Sequence, residues 1–159
     1  MRWVAGLVFL FALYLGAAHF SGGAFPTLGL PIGGDRALLR QTTDAFIEDI
    51  KFKDFKKAAS YHAPDKRDAV DIPFLIERLF VQKPESLDIM NYEIMMSEID
   101  STNTRGRAKS NIKVKNLAVG EIREQELMLF YHRDSVDAPW YMELESSLRQ
   151  LSGDNKKKH

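Results

Sequence analysis

The chain has 159 residues, the length of one domain. Lys and Arg together equal Asp and Glu at 22 each, so the net charge is zero, and no basic excess points to nucleic acid. The absence of Cys excludes disulfides, thiol nucleophiles and Cys-ligated zinc. The four histidines, His19, His62, His132 and His159, show no paired ligand spacing, so no metal or other cofactor is expected.

Residues 3–20 read WVAGLVFLFALYLGAAHF, without a charge. Eighteen helical residues span roughly 27 Å, close to the hydrocarbon thickness of a bilayer. A helix at the rim of a soluble core would show a polar face, and this stretch has none. Residues 1–20 therefore read as a single-pass transmembrane anchor. A cleaved signal segment is the competing reading, with Arg2 as a thin positive region and Gly16-Ala17-Ala18 as small residues for cleavage. Arg2 and the α-amino group lie on one side, and the next Lys or Arg is Arg36. That bias favours a domain outside the cytoplasm, on the periplasmic side of an inner membrane.

Residues 21–34 hold five Gly and two Pro and no charge, the composition of a linker. The domain is expected over 35–151. Asp35 is placed to cap a helix from Arg36, with Leu38, Leu39, Ala45, Phe46 and Ile50 on one apolar side. Lys51-Phe52-Lys53-Asp54 interrupts it. A second helical run carries Phe55, Ala58, Ala59 and His62, and Ala63-Pro64-Asp65 stops that run. Asp71-Ile72-Pro73 opens a third helix through Leu79 and Phe80.

After Pro84 the period falls to two, and four strand patterns follow. In 87–99, Met90, Tyr92, Ile94 and Met96 share a face. In 105–116, Arg105, Arg107, Lys109, Lys113 and Lys115 alternate with Gly106, Ala108, Ser110, Ile112 and Val114. In 123–134, Gln125, Leu127, Leu129 and Tyr131 share a face, and in 139–145 Trp140, Met142 and Leu144 do. Pairing the middle two about Val119-Gly120 sets Lys115 against Glu124, Lys113 against Glu126 and Ile112 against Leu127. Helices followed by an antiparallel meander make an α+β domain, helices packed on a curved sheet. Residues 152–159 are a polar tail.

This order of elements resembles the nuclear transport factor 2-like, or cystatin-like cone, superfamily. The resemblance rests on residues 50–59 (IKFKDFKKAA), on Tyr61-His62-Ala63-Pro64-Asp65 and on the closing residues 139–144 (PWYMEL), and it covers about 35–150. It implies a cone fold. The superfamily includes ketosteroid isomerase and polyketide cyclases, which work in a pocket between helices and sheet. It also includes non-catalytic, membrane-tethered members such as assembly proteins of type IV secretion. Where the isomerase pattern has a helix Tyr, this chain has Thr42, Thr43 and Asp44, so no catalytic residue carries over.

Two functions from different classes follow. The first is a membrane-tethered, non-catalytic interaction or assembly module, its partner a second copy of the chain or another subunit of a membrane complex. Met128 and Phe130 fall on the charged face of their strand among Lys109 and Lys113, an apolar centre with a charged rim. The alternative is a small apolar-ligand binder, or an isomerase- or cyclase-like enzyme, using the interior of the cone with Asp44, His62, Tyr92, Tyr131 and Trp140 as lining. Asp65, Asp68 and Asp71 lack the Gly-containing pattern of a calcium loop and read as turn and capping residues.

Overall fold

The computed structural model describes residues 2–20 and 33–148, with side chains from residue 6 onward in the first stretch. The polar tail at 152–159 and residues 21–32 of the linker lie outside the described residues.

Helix α1 runs Arg2–Phe20. Leu7, Val8, Phe9, Leu10, Phe11 and Leu13 are each more than half exposed, so apolar side chains face outward around its whole circumference. Among the described residues no helix is long and apolar enough to cross a membrane.

Helix α2 is Gly34–Lys51, with Asp35 in its first turn and Lys51 in its last, each opposing the nearer end of the helix dipole. Its cap is Gly33, left-handed at φ 107°, rather than Asp35. Asp35 instead holds Arg133 at 2.7 Å, a long-range pairing invisible to local capping rules. Leu39, Thr43, Phe46, Ile47 and Ile50 form the buried stripe. The helix ends where Lys53 turns left-handed (φ 62°), with Asp54 N–H returning to the Asp49 carbonyl at 2.8 Å. The Lys53 ammonium donates to the carbonyls of Pro84 and Leu87, tying this corner to the start of the sheet.

Helix α3 is Phe55–Ala59, capped by the Asp54 carboxylate, which accepts from Lys57 N–H at 3.0 Å. Pro64 does not simply stop the run. It starts the short α4, Pro64–Arg67, because the first helical turn needs no proline N–H. Helix α5, Ile72–Phe80, opens on Asp71, which accepts from Phe74 N–H at 3.0 Å, and buries Ile72, Leu75, Ile76, Leu79 and Phe80. Its far end has two side-chain caps from the sheet: Arg123 donates to the Phe80 carbonyl and Gln125 to the Leu79 carbonyl.

A 3-10 turn at Pro84–Ser86 leads into an antiparallel meander of β1 (Leu87–Ile99), β2 (Arg105–Asn116), β3 (Ile122–His132) and β4 (Tyr141–Met142), in that spatial order. The α+β class is as expected, with α2 lying across β1 and β2. Three details differ. Register shifts between Ile89 and Asn91 and between Ile94 and Met96 break the alternation of β1. Tyr92 and Ile94 therefore pair with the inner Ile112 and Ser110, while Met96 pairs with the outer Lys109 and Met90 is exposed. The β2–β3 register is displaced by two residues: Lys113 faces Glu124, Asn111 faces Glu126 and Ser110 faces Leu127. A shift of two keeps every side chain on its expected face. The connection is the four-residue loop 117–120, closed by Asn116 N–H to the Glu121 carbonyl at 2.8 Å, with Gly120 at φ 75°. Finally, the last strand stops at Met142, and 144–148 are helical.

Candidate functional site

The five residues expected to line one pocket do not converge. Asp44 is exposed on α2 and accepts from the Tyr92 hydroxyl at 2.8 Å, and Glu48 Oε1 lies 2.9 Å from the same oxygen. Burial first, then these two carboxylates, push the Tyr92 phenol up. The pair sits in an open groove with Arg40, Gln41, Glu93 and Ile94. Tyr131 is fully buried beneath α2, its hydroxyl 2.6 Å from Thr43 Oγ1, and burial pushes its phenol up as well. Trp140 is buried under the Arg133 guanidinium, which stands 4.3 Å above its ring. These roles belong to packing and positioning.

Among the described residues, the centre of the core is filled. Phe46, Ile47, Ile50, Ile76, Leu79, Phe80, Ile89, Ile112 and Leu127 surround about 10 Å³, no more than a water needs. That space is too small for the ligand expected inside the domain. Branched and aromatic side chains from α2 and α5 fill the space against the inner face of the sheet.

His62 is different. It ends the α3 segment, its backbone N–H donating to the Ala59 carbonyl at 3.1 Å. Met142 N–H donates to the Tyr61 carbonyl at 2.8 Å, which fastens this segment against β4. Between them opens a cleft of about 260 Å³, lined by His62, Lys66, Ala69 and Val70 on one side and 142–146 on the other. The imidazole is only 4% exposed, and both ring nitrogens are sealed from solvent. Burial pulls its pKa down; the Ala59 carbonyl and then Glu145 oppose this, Lys66 adds to it, and the Ala58 carbonyl opposes it.

A second buried polar cluster lies one residue away. Asp49 is nearly buried on α2 and accepts from Lys57 Nζ and the Tyr61 hydroxyl, both at 2.8 Å. Burial and then Asp49 push the Tyr61 phenol up to about 12. Beyond the polar Asp49 at an otherwise apolar helix position, no local signal in the chain announces this cluster.

The outer face of the sheet presents Met128 beside Lys109 and Phe130 beside Arg107, both half-buried, as the alternation requires. Met96 flanks Lys109 on its other side, so a Met–Lys–Met row crosses three strands. Lys109 turns its ammonium to Glu126 at 2.8 Å and lies half-buried between the two methionines. Lys113 is exposed opposite Glu124. Among the described residues no cluster of His, Asp or Glu is arranged to hold a metal ion.

No protein family, curated protein or solved structure matches this chain.

Proposed function

We propose that this chain is a membrane-tethered, non-catalytic interaction module of the nuclear transport factor 2-like kind, its α+β domain outside the cytoplasm. The observation that carries the reading is α1, a 19-residue helix on which Leu7, Val8, Phe9, Leu10, Phe11 and Leu13 face outward on all sides. An aqueous setting would leave each such Leu, Val or Phe about 1.5–3 kcal/mol less favourable than burial. The fifteen residues 6–20 span only about 22 Å, so the tether needs residues 3–5 as well. Arg2 on one side, with no further Lys or Arg before Arg36, supports the periplasmic orientation.

The partner in this reading is a second copy of the chain, docked through the outer face of the sheet around Met128 and Phe130. Charge pattern supports self-pairing. On that face β2 carries Arg105, Arg107, Lys109, Lys113 and Lys115, flanked by Asp88, Glu93 and Glu98 on β1 and by Glu124 and Glu126 on β3. A second copy offset by one strand brings cations onto acids.

Membrane fractionation of the full chain with intact-mass measurement tests the tether: a product in the membrane fraction released only by detergent is expected, and a soluble product beginning near His19 rejects it. Light scattering of the detergent-extracted chain tests the partner. A dimer that becomes a monomer in the double change Met128→Ser, Phe130→Ser is expected, and a monomeric wild type rejects self-pairing.

A further inference from the structure

Three turns meet at the end of the domain away from Gly33. Lys53 Nζ donates to the carbonyls of Pro84 and Leu87, Leu117 N–H donates to the Ser86 carbonyl at 2.8 Å, and Arg123 donates to the Phe80 carbonyl. Residues 52–53, 80–87 and 117–123 thereby form one tip. On it Val81 is 79% exposed, Phe52 73%, Val119 70%, Leu117 57% and Ile122 49%. The first three are the most exposed large apolar side chains described outside α1. A single exposed apolar residue is ordinary, but five on one tip mark an interaction site. We propose that this tip inserts its apolar side chains into the lipid surface of the membrane that holds α1, an inference that rests on the tether reading.

Val81 is the strongest sign. It holds φ 53°, a left-handed position that a β-branched residue adopts only under strain. Gly or Asn would take that turn more easily and put no apolar side chain in water. Val81 is thus unfavourable to the free domain on two counts, and an apolar phase removes the second. Three features select a lipid surface over a protein. The apolar side chains stand on separate turns rather than on one helix or sheet face, which suits insertion between headgroups. The tip's charges have both signs, Lys53, Lys83 and Arg123 against Glu85 and Glu121, which matches zwitterionic headgroups and selects no acidic or basic partner. Reach is the third. The 18 residues of α2 set the tip roughly 27 Å from the point where the chain enters the domain. Residues 21–33 can extend to at most about 45 Å, so the far end of the domain can lie on the bilayer that holds α1. The tether keeps the tip at high local concentration near that bilayer, so a modest apolar contact suffices.

The test uses the full chain in phosphatidylcholine vesicles. The chain has no cysteine, so a single introduced one carries a nitroxide label. Relaxation of the label by oxygen, which concentrates in hydrocarbon, is compared with relaxation by a water-soluble nickel chelate. The label on Val119→Cys is expected to be reached by oxygen and shielded from nickel. The label on Leu38→Cys, exposed near the opposite end of α2, is expected to stay open to nickel. Phe52→Ser with Val81→Asn removes two apolar anchors and is expected to shift the equilibrium read at Val119 about tenfold toward water. Val81→Asn relieves the turn and Phe52 is exposed, so this variant should fold. A label on Phe11→Cys reads the tether separately. Phe11 in lipid with Val119 in water overturns this inference and leaves the tether standing, whereas Phe11 in water overturns both. Val119 shielded from nickel with no gain in contact with oxygen means a protein at the tip, and overturns the inference too. So does an unchanged balance at Val119 in the double variant.

Discussion

The Tyr131 hydroxyl donates to Thr43 Oγ1 across the core. Thr43 spends its only proton on the Leu39 carbonyl at 2.8 Å, so in the 2.6 Å contact with Tyr131 it must accept. Both residues are buried, and α2 is thereby fastened to β3 at one polar point inside an apolar core.

The direction of that bond makes two substitutions unequal. Thr43→Val keeps the volume but strands the Tyr131 proton, with an expected cost of about 1–3 kcal/mol. Tyr131→Phe removes the donor while Thr43 keeps its bond to Leu39, with a smaller expected cost of about 0.5–1.5 kcal/mol. The double variant should lose less than the sum. Urea denaturation of the four proteins checks this, and strictly additive losses would show that the two hydroxyls do not interact.

Gly106 lies so close under Leu39 that a Cβ there would collide with the leucine methyl, and it would also stand 3.4 Å from the Glu98 carbonyl. Gly106→Ala is expected to destabilise the domain by about 1–3 kcal/mol through overpacking. Leu39→Ala alone should cost about 2–5 kcal/mol by leaving a cavity. In combination the alanine methyl occupies part of that cavity, so the double variant should be more stable than additivity gives. The same denaturation series reads it out.

How much of this was legible in the sequence depends on what fixes each feature. The faces of β2 and β3 were readable because Ala108, Ile112, Leu127 and Leu129 alternate cleanly with charges, and alternation survives a two-residue slip. The register was not. Pairing Lys113 with Glu126 satisfied the charges, but exposed ion pairs are worth only about 0.2–1 kcal/mol and cannot outweigh a loop. The loop 117–120 and the caps on α5 decide it, placing Gln125 opposite Ile112. In β1, bulges beside Met90 and Met95 carry no local signal, so a single face for Met90, Tyr92, Ile94 and Met96 did not survive. His62 stood out as a polar residue at the end of an apolar helix face. Asp44 and Tyr92 came together with Glu48, whereas Tyr131 and Trp140 lie apart from them because their neighbours, Thr43 and Arg133, are set by tertiary packing.

His62 gives the protein a specific acid sensitivity. Its folded pKa lies below the ordinary 6.5, through burial first, opposed by the Ala59 carbonyl and Glu145 and helped by Lys66; Glu143 also lines the cleft. The unfolded chain therefore takes up this proton first as pH falls. The stability that neutral His62 secures is complete above about pH 6.5 and declines below it. Thermal unfolding of wild type and His62→Phe between pH 8 and 5 checks the sign. The wild type should lose stability on acidification more steeply than the variant, and parallel profiles would remove His62 as the cause.

Tyr61 sets the alkaline limit in the same way, with the opposite sign. The folded phenol holds its proton up to about pH 12, whereas its ordinary value is 10.0. Between those values the unfolded chain releases a proton that the folded chain keeps, so stability falls as pH rises through that window. Tyr92 and Tyr131, also raised, steepen the decline. Burial is the larger cause at Tyr61, and the Asp49 carboxylate the next. Asp49→Asn keeps an acceptor near the hydroxyl but removes the charge that opposes the phenolate. Tyr61 should then ionise below its wild-type value yet above 10.0, because burial remains. Phenolate absorbance, taken as the difference between each protein and its Tyr61→Phe partner, isolates this one ring. An unchanged midpoint in Asp49→Asn would mean that the Asp49 charge is not what Tyr61 senses. A midpoint at the ordinary value would mean that the carboxylate, rather than burial, holds the proton on the phenol.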